Sequence, residues 1–418
     1  MIVHRFRIHT LWMMLLLLTF PVCASALTLY GTIYNDELTV SPEDAYERVA
    51  ALQGRDVITI LPQASLNWED HQMCYTTSAM NHTAIHGGPG DDTVYQSGEI
   101  FVATESITSA NPLANSASAV SIGVDGASGD DLVQNNGLIS VSSRAAIPDP
   151  AIGDGENRVE AWMNSLVEKI MGEGEETITN KGCAKAVGID GGGGDNAIEH
   201  TGTLAVSAEV EESDGALFSA TSAESSGILT GGGNDQVVSS GPQEITALAS
   251  VAPSSVSTDG AFVAVSTTCT QASASAQGID TGGGRDTIEN SHTLTVAADA
   301  RASKEAVTAN SGFFSAATGS IDAQARAVGM DSGSNDDIIT NKGAIVVRAD
   351  SRSEIDSISA ESGFVAVTLA KPQADAEAIG IATGMGDDRI DSNDIDVSTS
   401  SQTSFQGESG NEVNDQNP

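Results

Sequence analysis

The sequence predicts an all-β fold, a right-handed parallel β-helix or β-solenoid with an N-terminal cap and one short inserted helix. Three observations predict it: a glycine–aspartate turn that recurs down the chain, period-2 strands between those turns, and a composition that fills thin layers with small side chains. Only 4% of the residues are aromatic, which excludes a conventional core built on bulky rings, yet 40% are apolar, too many for a disordered acidic chain. With 57 acids against 18 bases the net charge is −39, a surface that repels nucleic acid and anionic membranes and favours cations.

In chain order, Arg5 and Arg7 precede an apolar run from Leu11 to Phe20 and then Ala24-Ser25-Ala26, the pattern of a secretory signal peptide over residues 1–26. The run is about half the ~20 residues that cross a bilayer, so export is expected without a transmembrane segment after cleavage. Cys23 follows Phe20-Pro21-Val22, a poor lipoprotein box. The expected destination is secretion, the cell surface or the periplasm. Cys74, Cys183 and Cys269 remain, an odd and scattered set that supports no disulfide framework, although one pair among them is open.

Residues 27–80 read as the cap. Thr28 to Tyr34 and Val57 to Leu61 alternate as strands, and Ser41-Pro42-Glu43-Asp44 has the chemistry of a helix start ahead of Ala45 to Leu52. The repeat array then spans residues 81–398. Its clearest unit is Gly87-Gly88-Pro89-Gly90-Asp91-Asp92-Thr93-Val94-Tyr95, and aligning the sixth position places Asp92, Asp131, Glu176, Asn196, Asp235, Asp286, Asp337 and Asp388 in one column. The last three intervals are each 51 residues, and Phe262, Phe313 and Phe364 open apolar segments that recur at the same interval. The 20-residue step from Glu176 to Asn196 implies that a return to the same position can be short, which favours two coils per 51-residue period. Trp162, Leu166 and Ile170, with Met163 and Val167, recur at helical spacing, so an amphipathic helix is expected near residues 158–171. Residues 399–418 are polar and read as a disordered tail.

The nine-residue unit resembles the hemolysin-type calcium-binding (RTX) repeat, in which glycines allow tight turns and the aspartate binds Ca2+. Residues 87–95 match fully, Gly126 to Gln134 at all but one glycine, Gly191 to Glu199 with Asn196 in place of Asp, and the later copies begin with Thr230, Thr281, Ser332 or Thr383 instead of Gly. A second, looser resemblance is to the parallel β-helices of autotransporter passengers, through Ile178-Thr179-Asn180-Lys181-Gly182 and Ile339-Thr340-Asn341-Lys342-Gly343-Ala344-Ile345. RTX units run in tandem, whereas these stand alone. With repeats running to about residue 397, no C-terminal barrel of an autotransporter is expected, and the N-terminal signal is not that of type I export.

The resemblance makes Ca2+ a candidate ligand and Asp91, Asp92, Asp130, Asp131, Asp195, Asp235, Asp286, Asp336, Asp337, Asp387 and Asp388 its candidate ligating residues. The blander expectation is that Gly-Asp-Asp is turn chemistry on a solvated edge. His71, His82 and His86 lie close enough in sequence to form a metal site with Cys74, or simply to decorate the cap. No G-x-S-x-G, H-E-x-x-H or phosphate loop occurs, and the bases are scattered. The functional expectation is an exported structural or adhesive protein whose partner is a cell-surface or extracellular polysaccharide or protein. The alternative is a carbohydrate-active enzyme (polysaccharide lyase, hydrolase or epimerase) on the same fold.

Overall fold

The computed structural model describes residues 27–74, 77–108, 115–147, 180–213, 218–252, 255–260, 262–362 and 364–405. All regular structure among them is β, arranged in three parallel sheets of nine strands each, here called A, B and C. The chain runs from a sheet-A strand through the glycine–aspartate turn into a four-residue sheet-B strand, then into sheet C, and back to A one layer further on. One such circuit is Val263–Asp280, Thr287–Asn290 and Leu294–Ser311, and the next is Phe314–Asp331, Ile338–Asn341 and Ile345–Ser362. Thr287 pairs with Ile338 and Leu294 with Ile345, so each coil sits on the one before it in fixed register.

That register corrects the two-coil expectation. Residues 51 apart in sequence are direct neighbours in the sheet, so one period is one coil. The length is taken up within the coil: strands in sheets A and C grow from 10 residues in Thr77–His86 and Glu99–Thr108 to 18 in the later coils, while the sheet-B strand stays at four. The 20-residue return is not a coil either, because Leu132–Asn135 pairs directly with Ala197–His200. Glu176 and the helix expected near 158–171 both lie outside the described residues.

The segment expected as a separate cap is built from the same three sheets. Thr28–Tyr30 and Arg48–Ala50 begin sheet A, Glu37–Val40 and Val57–Ile60 begin sheet B, and Ser65–Cys74 begins sheet C. The expected helix after Ser41 is absent there. Ser41 to Asp44 closes a tight turn, with the Asp44 amide on the Ser41 carbonyl at 3.0 Å and the Ser41 amide on Asp44 Oδ2 at 2.7 Å, and Arg48–Ala50 is a strand. Parallel pairing to Ile85 and His86 overrides the local helix signal. At the other end the expected tail starts too early, since Ile395–Phe405 is a sheet-C strand paired to Ile345 through Ile355. Residues 406–418 lie outside the described residues.

The core follows from period-2 alternation in a stack. Val94, Val133, Ile198, Val237, Ile288 and Ile339, two residues past the sixth position of each turn, form one column and are all buried. Between sheets A and C the filling is largely methyl groups, as at Ala298, Ala300 and Ala302 on one side and Ala323, Ala325 and Ala327 on the other, which accounts for a core with so few rings. Next to the Val/Ile column runs a buried polar one: Gln96, Asn135, His200, Ser239, Asn290 and Asn341. Two pairs of members bond across coils, Asn290 Nδ2 to Asn341 Oδ1 at 2.8 Å and Asn135 to His200 Nδ1 at 2.9 Å, while Gln96 Nε2 donates to the Gly98 and Leu138 carbonyls. Burial pushes the His200 imidazole down to about 4, which keeps it neutral in this column. Asn341 of Ile339-Thr340-Asn341-Lys342-Gly343 belongs to this ladder, whereas Asn180 of the other copy begins a sheet-A strand and bonds to the Asn115 amide and to Glu212.

Candidate functional site: the stacked aspartate turns

The turn between sheets A and B needs two residues with positive φ, at its second and fourth positions. In the first full copy these are Gly88 (φ 93°) and Gly90 (φ 142°), and a Cβ on Gly90 would meet the Gly54 carbonyl oxygen of the coil beneath at 1.5 Å. The third positions form bridges up the stack, from Pro89 to Ser128, Gly193, Gly232, Gly283, Ser334 and Met385. Close approach of successive turns thus favours glycine at these two positions, which Ala127 (φ 74°) and Asn335 (φ 88°) nevertheless occupy in two of the copies.

This stacking sets the role of the aspartates. At the sixth position, Oδ1 accepts a hydrogen bond from the amide of the sixth residue in the preceding coil. The Asp56 amide donates to Asp92 (2.8 Å), Asp92 to Asp131 (2.7 Å), Asp131 to Asn196 (3.1 Å), Asn196 to Asp235 (2.7 Å), Asp235 to Asp286 (2.8 Å), Asp286 to Asp337 (2.9 Å) and Asp337 to Asp388 (3.1 Å). These carboxyls are buried as far as Asp337. At the fifth position the polarity is reversed: Asp91, Asp130 and Asp195 accept from the amides of Asp130 (3.2 Å), Asp195 (2.9 Å) and Asn234 (2.7 Å) in the following coil, and Asp336 accepts from Asp387 (3.0 Å). Arg285 interrupts that exposed column because a guanidinium accepts no hydrogen bond, and its side chain pairs with Asp336 at 3.3 Å instead.

All eleven sequence-predicted ligands thus lie in the turns, in two columns. In three of the four Asp-Asp pairs, Asp91–Asp92, Asp130–Asp131 and Asp336–Asp337, the two acids bond in opposite directions along the axis, one to the coil before and one to the coil after. One oxygen of each ladder carboxylate is committed to an amide. The sequence reading missed Asp36 and Asp56, which extend the same ladder through a 2.7 Å bond from the Asp36 amide to Asp56. The signal was present in Asp36-x-Leu38 and Asp56-x-Ile58, which keep the aspartate and the buried residue two places on but lose the glycine run. It also missed Asp190, Asp280 and Asp331, just before the turn, which accept from the amides of Gly192, Gly282 and Gly333 at 2.9–3.0 Å.

The second carboxyl oxygen meets different surroundings from coil to coil. Thr230 Oγ1 donates to Asp235 Oδ2 at 2.7 Å. Oδ2 of Asp92, Asp131, Asp286 and Asp337 is buried with no partner among the described residues, although the first residue of the turn is Gly87, Gly126, Thr281 and Ser332 respectively. Burial is the main influence on these groups, opposed by the amide each accepts and reinforced by neighbouring acids: it pushes Asp92 up to about 6 and Asp131 up to about 7. Asp286 is likewise pushed up to about 6. Asp91, outside, is held below the usual range by the Asp130 amide and the Arg55 guanidinium. Removing the hydroxyl in Thr230→Val strips the Thr230 donor from Asp235 Oδ2 and should cost about 1–3 kcal/mol in a denaturant melt, while Thr230→Ser should cost far less. An equal loss in both variants would show that the hydroxyl is not what matters.

The histidines do not converge. His71 Nδ1 is 2.7 Å from Glu105, His86 Nδ1 is 2.9 Å from Asp125, and His82 turns inward against the Trp68 ring at 4.0 Å, with Asp70 3.5 Å away. Among the described residues no three His, Cys, Asp or Glu side chains are grouped to hold a metal ion, and Cys183 and Cys269 are free thiols. No described helix is long and apolar enough to cross a membrane.

Compared with protein-family models, with curated proteins and with solved structures, the chain gives no match. Fold and turn together define its class, a three-sheet parallel β-solenoid whose coils are locked by two opposed columns of turn side chains.

Proposed function

We propose that this chain is an exported structural rod with an adhesive face. The observation that carries the reading is the outer corner of the three widest coils. There Phe262, Phe313 and Phe364 stack in parallel, with centroids 4.7 and 5.0 Å apart and planes within 2°. They remain 64%, 41% and 73% exposed, and Val263, Val265, Val365 and Val367 beside them are also exposed. A solenoid interior needs none of these side chains, and a continuous exposed apolar strip on a soluble surface marks a contact site. Nine stacked coils give a stiff body about 40 Å long for presenting it. Export rests on Arg5, Arg7, the Leu11 to Phe20 run and Ala24-Ser25-Ala26.

The test is adhesion of beads coated with the purified chain to a panel of extracellular polysaccharides and to surface-protein extracts. The triple change Phe262→Ser, Phe313→Ser, Phe364→Ser should abolish adhesion at nearly unchanged melting temperature. Full adhesion by a folded triple variant sinks the reading. Release of unsaturated products from a uronate polysaccharide would replace it with the enzymatic one.

A further inference from the structure

The two ends of the solenoid are unlike. At the first, sheet A starts with the three residues Thr28–Tyr30, and Leu38 and Val40 are already buried. The other end is the wide one, and its last coil is Val365–Ala382, Arg389–Ser392 and Ile395–Phe405, each the outermost strand of its sheet. Ile390, Ile395, Val397 and Phe405 stand in the columns of the buried Ile339, Ile345, Val347 and Ile355, yet are 50%, 40%, 42% and 50% exposed. Residues 406–418 contain a single large apolar side chain, Val413. An open strand edge over uncovered core positions is a template for another strand.

The edge itself shows which strand fits. Arg389 spends its amide on the Asp337 carbonyl, so by alternation Ile390 turns its N–H and C=O to the open side. Laid antiparallel on its own copy with Ile390 at the centre, the strand exchanges both Ile390 bonds and packs one Ile390 on the other. The same register sets Arg389 of each copy directly across from Asp391 of its partner on the outer face. Among the nine sheet-B strands no other carries opposite charges at its two outward positions; the two preceding coils have Thr287 and Glu289, then Ile338 and Thr340. A two-fold axis through that point, running between sheets A and C, also lays Val365–Ala382 of one copy antiparallel over Ile395–Phe405 of the other. Head-to-tail stacking has no such match, because an 18-residue edge would meet the three-residue start of sheet A.

We infer that this chain pairs with a second copy of itself, end to end across a two-fold axis at Ile390, so that one rod carries an apolar strip towards each end. The end face is about 60 Å along Val365–Ala382 and about 10 Å between sheets, roughly 600 Å2 on each copy, which reaches the lower bound of a specific interface. Two chains of net charge −39 repel, so the dimer is a weak one, with a dissociation constant on the order of 10 µM. In a dilute melt the chain is the monomer and Ile390 is half in water. The inference is read from molar mass and does not depend on adhesion.

Sedimentation equilibrium of the full chain from about 1 to about 200 µM should follow a monomer–dimer equilibrium that stops at two copies. Arg389→Asp sets acid against acid twice by symmetry and should weaken the dimer at least about tenfold, and Asp391→Arg should do the same. The double variant Arg389→Asp, Asp391→Arg restores the pair in reverse and should dimerise like the parent. An equimolar mixture of the two single variants should also form dimers. A chain that stays monomeric throughout, or one that grows past the dimer, overturns the inference. So does a dimer that Arg389→Asp leaves intact, or a double variant that dimerises no better than the single ones.

Discussion

Asp286→Ala is expected to destabilise the chain by about 2–3 kcal/mol, and Asp286→Asn to cost nothing at pH 8. The carboxyl is completely buried, and its Oδ1 is the acceptor for the Asp235 amide at 2.8 Å. Truncation leaves that amide in a dry turn with no acceptor, and a buried unpaired donor carries its full desolvation cost. Asparagine keeps the acceptor, and its amide group finds carbonyls as Asn196 does. The pH dependence separates the acceptor from the charge. Burial raises the folded-state value to about 6, against about 3.9 unfolded, so the parent loses stability as pH climbs from about 4 to about 6. Asp286→Asn, which does not titrate, should therefore gain on the parent across that window and hold a constant advantage above it. Denaturant midpoints at pH 4, 5, 6 and 8 measure this, and an alanine variant as stable as the asparagine one would remove the ladder from the account of stability.

Much of the architecture is legible in residues because a stacked coil repeats its environment. Gly-Gly-x-Gly-x-Asp-x-Val fixes where the chain turns and which residue points in, and the equal 51-residue intervals give the register that the sheets show. What could not be read was the number of coils per interval. Lengthening two strands by eight residues each looks, in one dimension, like adding a turn, and the Asp131 to Asn196 interval contains a segment that carries its own Gly-x-Glu imitation of the motif at Glu176. The first two coils were hidden for a different reason: Asn35-Asp36 and Arg55-Asp56 keep the ladder but not the glycine run, with one glycine ahead of each, Gly31 and Gly54. At the site, an Asp-Asp pair reads as a chelating motif until the neighbouring coil is present. Only then does each carboxylate acquire an amide, one backward and one forward along the axis.

The same column of apolar side chains gives a test of how stability is distributed. Ile288 and Ile390 hold equivalent positions in sheet B, yet Ile288 is 0% exposed and Ile390 is 50% exposed, because a further coil covers the first and none among the described residues covers the second. Ile288→Ala should cost about 3–4 kcal/mol, the transfer of three buried carbons plus a cavity that rigid flanking coils cannot collapse. Ile390→Ala removes atoms already half in water and should cost less than about 1.5 kcal/mol. The size of that difference reports on cohesion. In a solenoid each coil touches only its neighbours, so the loss at Ile288 is shared with the coils of Val237 and Ile339, whereas the loss at Ile390 falls on one interface. Amide exchange should follow the same order. In Ile288→Ala, faster exchange should spread through the strands on both sides, Gln236–Ser239 and Ile338–Asn341, and in Ile390→Ala it should stay within Arg389–Ser392. Equal costs for the two substitutions would mean that the last described coil is covered in solution by something that seals Ile390 from water.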